Sequence, residues 1–186
     1  MQYQEGKEIF GSDNKIIVFE GRKFLNFSEH EFSVWVPIQM RFCDTDMMGH
    51  INNVSVIAFL ETARVEYMNK MRDVAKQKGI GQDLFSIILA EITCVYRGQI
   101  FLRDKIQVGI KIRCFKRKSF VFDYIILADQ GDGIKRKVVD AQSIQVMYNY
   151  FEGKSMEIPK EFIEVAEAVE GRKIPFFEIY ESNSLS

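Results

Sequence analysis

Two aspartates, a Gly-His pair and two asparagines fall within ten residues of this chain, Asp44-x-Asp46-x-x-Gly49-His50-Ile51-Asn52-Asn53, directly ahead of an amphipathic stretch. If that stretch is a helix, a carboxylate, an imidazole and unpaired backbone N–H groups meet at its N-terminus. The first four N–H groups of a helix lack internal acceptors, and the macrodipole adds partial positive charge there. Such an end holds an anion, or the oxyanion that forms when a carbonyl is attacked. Asp46 can then serve as base or nucleophile, which is acyl-transfer or hydrolytic chemistry. Taken alone, Asp46 has a plainer reading as a carboxylate that only stabilises a turn and a helix start.

The element that must present these groups is expected over Asn53–Lys78. Val56, Phe59, Leu60, Ala63, Tyr67, Met71 and Val74 recur at three- and four-residue intervals and make one apolar face. Asn52 or Asn53 can cap its start. Lys76, Lys78 and Gly79 suit its end. Val54, Ile57, Val65 and Met68 carry apolar character onto the flanks, which implies burial on more than one side, as for a helix embraced by a curved sheet. Before it, Phe32, Val34, Val36, Ile38, Met40 and Phe42 share one parity and read as a strand. Pro37 removes a ladder donor, so this strand is expected at an edge or bulged.

Strands are expected at Phe85–Tyr96, from Ile106 to Arg113, at Ser119–Ala128 and at Lys137–Phe151, with a turn at Asp129–Gly133 and a closing helix over Glu161–Glu170. One strand, a long helix and four antiparallel strands argue for an α+β fold rather than alternating βαβ units. One helix cannot cover so long a sheet and its edges, so self-association by edge pairing is expected. The first 31 residues read as an appendage in which Lys15–Phe19 and Lys23–Phe27 flank Glu20-Gly21 as a short hairpin.

With 186 residues and a formal charge of −1, the chain is expected to be one domain with no nucleic-acid partner. No apolar run is long enough for a membrane span. The N-terminus lacks a signal-peptide core, and Cys43, Cys94 and Cys114 form no CxxC pair, so a cytoplasmic protein with free thiols is expected. Cys43, with no activating base, reads as a buried thiol. There is no GxSxG elbow, two histidines and scattered cysteines make no metal site, and Gly79-Ile80-Gly81 follows a helix rather than a strand.

The segment Asp44-x-Asp46-x-x-Gly49-His50-Ile51-Asn52-Asn53, with Glu61 and Arg64 after it, resembles the signature of hotdog-fold acyl-CoA thioesterases. These are the relatives of 4-hydroxybenzoyl-CoA thioesterase and, more distantly, of the plant acyl-ACP thioesterases. The similarity runs from about Phe32 to Glu164. The chain departs from the usual pattern at Val56, where an aromatic is common, and at Gly98-Gln99, where a proline-containing turn is usual.

The resemblance implies a hotdog fold over residues 32–170, a long central helix wrapped by a curved antiparallel sheet, with residues 171–186 as a tail. It implies hydrolysis of a small-molecule acyl thioester to free acid and coenzyme A, with no cofactor and no metal. An acyl-ACP thioesterase and a non-catalytic acyl-thioester binder are the alternatives. Asp46 aligns with the reactive carboxylate, and the Asn53 N–H with the group that polarises the thioester carbonyl. His50 either orients Asp46 or the thioester, or is structural. Asp44, Gly49, Asn52, Glu61 and Arg64 are expected to support the loop, with the dimer interface as the alternative for Glu61 and Arg64, which pair along the helix. The run Lys116-Arg117-Lys118-Ser119 reads as a solvated hairpin tip or as a contact for coenzyme A phosphates, with Lys135-Arg136-Lys137 competing for that role. A homodimer or homotetramer is expected.

Overall fold

A computed structural model describes residues 25–177, with 18–19 and 22–23 ahead of them. Strands β1 (Val18–Phe19) and β2 (Arg22–Lys23) pair antiparallel, so a hairpin lies where Glu20-Gly21 suggested it. Residues 25–27 are not in a strand, short of the expected Lys23–Phe27, and residues 15–17, 20–21 and 24 lie outside the described set.

Strand β3 (Val34–Ile38) sits at a sheet edge, with Pro37 opposite Gln107 on its one neighbour among the described residues. The inward parity holds for Val34 and Val36, weakens at Ile38 and Met40, and fails at both ends: Phe32 is buried on the outer face of the sheet, and Phe42 is 83% exposed. The strand has ended by then. Residues Phe42–Asp44 form a 3-10 turn, closed by Asp44 N–H to the Arg41 carbonyl and Thr45 N–H to the Phe42 carbonyl, and a three-residue repeat cannot keep a two-residue alternation. The same turn corrects the reading of Cys43: the thiol is exposed, and Asp44 takes the buried position.

Helix α1 (Asn53–Gln77) follows, with the Asn52 side chain accepting from the Val54 N–H as its cap and Gly79 at φ 69° beyond its end. Val56, Phe59, Leu60, Ala63, Tyr67 and Met71 are buried as the periodicity implied. On the flanks Met68 is buried, whereas Val54 and Val65 are 76% and 48% exposed. Val54 and Val65 are therefore left uncovered by the described residues of the protomer.

Strands β4 (Ile87–Tyr96), β5 (Lys105–Phe115), β6 (Ser119–Asp129) and β7 (Lys135–Asn149) complete one antiparallel sheet in the order β3-β5-β6-β7-β4, with short β8 (Lys154–Ser155) on β7. Bulges interrupt the β4–β7, β5–β6 and β6–β7 registers, and such bulges increase twist. The curled sheet wraps α1, with Tyr67 edge-on to Phe122 at 5.0 Å. Each fully buried side chain of this size contributes roughly 1.5–3 kcal/mol. Helix α2 (Lys160–Glu170) closes one end, where Phe162 packs with Phe85, Phe115 and Phe120. Its last residue is tied in: buried Glu170 accepts from the Tyr67 hydroxyl at 2.7 Å and the Ile112 N–H at 2.6 Å.

The outer face of the sheet is also covered. The segment from Leu25 to Trp35 lies along it, with the Phe27 N–H donating to Asp140 at 3.0 Å and Glu31 paired to Lys111. Phe27, Phe32 and Trp35 pack with Ile125 and Leu127. Gly109 on β5 admits this layer: a Cβ there would stand 3.0 Å from the Trp35 ring and 3.1 Å from Phe32.

Candidate active site

The loop between β3 and α1 is folded back on itself. Thr45 and Ile51 form an antiparallel bridge, the Asn52 N–H donates to the Asp44 carbonyl at 2.8 Å, and the Asp46 N–H donates to the His50 carbonyl at 2.8 Å. Gly49 turns the chain at φ 78°, a conformation costly for any residue with a Cβ. This tight fold sets Asp46 beside the start of α1, not on a free loop.

Asp44 and Asp46 have different surroundings. Asp44 is buried and accepts from Arg41 three times, from the backbone N–H at 2.7 Å, Nη2 at 2.9 Å and Nε at 3.4 Å. The Arg41 hydrogen bonds hold its carboxyl below the usual carboxylate range, against the opposing effect of burial. Asp44 is thus tied to Arg41 at the base of the loop. Asp46 is exposed. Its Oδ1 accepts from the N–H groups of Met48 at 2.8 Å and His50 at 3.2 Å, while Oδ2 has no hydrogen-bond partner among the described residues. One oxygen positions the carboxylate and the other is open.

His50 meets Asp46 through its backbone. Its imidazole packs edge-on against Phe101 at 5.1 Å instead. The Ile51 N–H donates to the Ile100 carbonyl at 2.8 Å, so the loop between β4 and β5 backs the Asp46 loop. Asn53 is the first residue of α1, and its N–H donates to no acceptor among the described residues. Tyr96, at the end of β4, places its hydroxyl 3.4 Å from the Asn53 carbonyl. Burial, with Cys94 beside it, pushes that phenol up to about 12, so it stays protonated at neutral pH. Tyr96 and Phe101 carried no motif signal. Only the ends of β4 and of the following loop, once placed in the sheet, point to them. Two to three turns into α1, Glu61 and Arg64 pair at 3.1 Å, Arg64 buried and Glu61 outward.

The basic runs lie elsewhere. Lys116, Arg117 and Lys118 form the β5–β6 hairpin tip, closed by the Lys116 N–H to the Ser119 carbonyl at 2.7 Å. The loop touching Asp46 precedes β5, and the tip follows it. An eleven-residue strand separates them, and at about 3.3 Å per residue that is roughly 35 Å. Within one protomer these lysines are at the far end of the sheet. The rival run sits at the near end but is engaged: Lys137 contacts Asp140, Asn26 and Phe27, and Arg136 pairs with Asp104. Among the described residues no cluster of His, Cys, Asp or Glu is placed to hold a metal, and no helix is long and apolar enough to cross a membrane.

Residues 40–166 match the thioesterase-like superfamily. The chain belongs to that family. Solved structures of the same fold include a thioesterase of Thermus thermophilus complexed with coenzyme A and Zn (24% identity, TM-score 0.64, 77% of this chain and 98% of that one). They also include the 4-hydroxybenzoyl CoA thioesterase of Pseudomonas sp. strain CBS-3 (20% identity, TM-score 0.60, 72% and 99%). These likenesses establish the hotdog fold. In sequence, the chain is 26% identical over 94 residues to the uncharacterized protein YsmA of Bacillus subtilis (strain 168), matching 50% of this chain and 60% of the length of that relative.

Proposed function

We propose that this protein is an acyl-CoA thioesterase that works as a dimer. The observation that carries the reading is Asp46: a carboxylate held by two loop N–H groups through one oxygen, with its other oxygen open beside a helix start whose first N–H is unpaired. The thioester carbonyl oxygen accepts from the Asn53 N–H, and the macrodipole of α1 stabilises the negative charge that develops there. Asp46 removes a proton from water as its oxygen bonds to the carbonyl carbon, or attacks that carbon itself and is released by water. Collapse breaks the C–S bond, and coenzyme A leaves as a thiolate that takes up a proton.

The two sheet edges support the dimer. Edge β3 is five residues long and carries Pro37. Edge β4 has ten residues, includes Ile88, Leu89, Ala90 and Ile92, and has β7 as its one partner among the described residues. A long apolar edge of this kind calls for a second strand, and a two-fold axis supplies one antiparallel to it. The exposed stripe of α1 at Val54 and Val65 would be covered by the same contact. That axis also turns the second copy end for end, so its β5–β6 hairpin comes to the end of the sheet where Asp46 lies. About three and a half strand spacings separate β4 from that hairpin, roughly 17 Å. The pantetheine arm spans about as much as four to five extended residues, roughly 15 Å. The lysines that are out of reach in one protomer fit the phosphates in a pair.

The test is thiol release from a panel of acyl-CoAs of varied chain length, with sedimentation run on the same preparation. Turnover by a dimer is the expected result. Tight acyl-CoA binding without thiol release would make this a binding protein instead.

A further inference from the structure

Of the first two N–H groups of α1, one is already spent. Val54 donates to the Asn52 side chain at 2.9 Å, while the Asn53 N–H has no acceptor among the described residues. An oxyanion has room for more than one hydrogen bond, and acyl-transfer sites commonly aim two donors at it. The strand that ends nearest the helix start carries a further donor, the hydroxyl of Tyr96.

Tyr96 closes β4 and stands opposite Val139 on β7, which is fully buried in the core around α1. Directly opposed residues of an antiparallel pair share a face, so the Tyr96 ring lies on the inner side of the sheet, where α1 is held. Its hydroxyl reaches the first residue of that helix, 3.4 Å from the Asn53 carbonyl. The contact is loose, since O–H···O bonds centre near about 2.8 Å. The Asn53 carbonyl also serves, as in any helix, the N–H four residues on. Cys94, two residues back on the same face, gives the hydroxyl only a thiol, which is a weak partner. The hydroxyl is thus uncommitted, and the residue is 44% exposed. Burial first, and then the contact with Cys94, push the phenol up to about 12, so at neutral pH it donates and does not act as a base.

We infer that Tyr96 is a catalytic residue whose hydroxyl is the second hydrogen-bond donor to the thioester oxygen, beside the Asn53 N–H. This role rests on the thioesterase reading and adds to it a group from β4. As charge develops on the oxygen, the hydroxyl rotates about its C–O bond from the Asn53 carbonyl to the oxyanion. A long contact to a neutral acceptor is exchanged for a charge-assisted one. The proton stays on the phenol throughout.

Tyr96→Phe keeps the ring and removes the donor. Its kcat on the best acyl-CoA is expected to fall roughly a hundredfold, the usual cost of one oxyanion donor. KM should stay within about twofold, because the bond is made in the transition state, and the melting temperature should match wild type. A ketone analogue of that acyl-CoA, with a methylene in place of the sulfur and an isotope-labelled carbonyl, reads the hydrogen bonds without turnover. Its bound carbonyl stretch should rise in frequency from wild type to Tyr96→Phe. Fluorotyrosine at position 96 keeps the hydroxyl but makes it more acidic, so kcat should fall away at lower pH than in wild type. Normal kcat in Tyr96→Phe, a change in KM alone, or an unshifted carbonyl stretch overturns the role, while thiol release by wild type leaves the thioesterase reading intact. If Tyr96→Phe proves unfolded, the fluorotyrosine protein decides: a moved alkaline limb upholds the donor and an unmoved one overturns it. A carbonyl stretch that depends on Tyr96 in a protein that releases no thiol upholds the donor and removes the thioesterase reading.

Discussion

Replacing Asp46 separates its chemical role from its structural one. In Asp46→Asn, the oxygen that accepts from Met48 and His50 remains and the open oxygen becomes an amide nitrogen. The loop keeps both hydrogen bonds, while the group that takes the proton or attacks is gone. Turnover is expected to fall at least a hundredfold, about 2.7 kcal/mol of transition-state stabilisation, with the melting temperature nearly unchanged. Asp46→Ala removes both loop bonds as well. At an exposed position these are together worth about 1 kcal/mol, which lowers the melting temperature of a chain this size by roughly 2–4 °C. Thiol release from the best acyl-CoA, read beside thermal melts, gives both numbers. Near-normal turnover by Asp46→Asn would refute the catalytic assignment. If Asn and Ala lowered the melting temperature equally, Oδ1 would not be the oxygen that holds the loop.

Because Arg41 holds the Asp44 carboxyl below its ordinary range, their contacts contribute fully above the unfolded-state value of roughly pH 4, and the contribution is lost as pH falls through the lower folded-state value. The melting-temperature gap between wild-type and Asp44→Asn should therefore narrow from pH 7 to pH 3, and a constant gap would show that the charge is not what matters. Leu89→Lys, on the β4 edge where Leu89 is 45% exposed, should shift the sedimenting species to a monomer and reduce thiol release with it; an active monomer would disconnect the pair from the chemistry. Tyr67→Phe removes one of the donors to buried Glu170 and should cost about 1–2 kcal/mol in urea melts, with no change if water replaces the phenol.

The fold was largely legible because its longest elements have strong periods. The α1 stripe, the alternation in β5 and the turn at Asp129–Gly133 each mark an element that the structure contains. What failed did so at junctions. Phe42 continues the strand pattern on paper, but the 3-10 turn leaves it exposed, and no periodicity announces where one repeat yields to another. The loop around Asp46 was legible by its residue types. Its geometry was not, since a carboxylate such as Asp44 looks the same in sequence whether it braces or reacts. Separation along the sheet was equally hidden. Nothing in Lys116-Arg117-Lys118 says that an entire strand lies between it and the residues it was read with. Residues 175–177 read in sequence as part of a tail, because their partner Phe115 is distant in sequence and the pairing is made by backbone atoms.

Gly109 couples parts of the chain that lie far apart in sequence. The Phe32 and Trp35 rings lie where its side chain would be, so a larger residue at position 109 would evict the outer layer from β5. Related chains should show these positions changing together: glycine where aromatic residues precede the first core strand, and a larger side chain where they do not. Position 109 would then serve as a sequence marker for which members of the family wear the outer layer and which leave that side of the sheet bare.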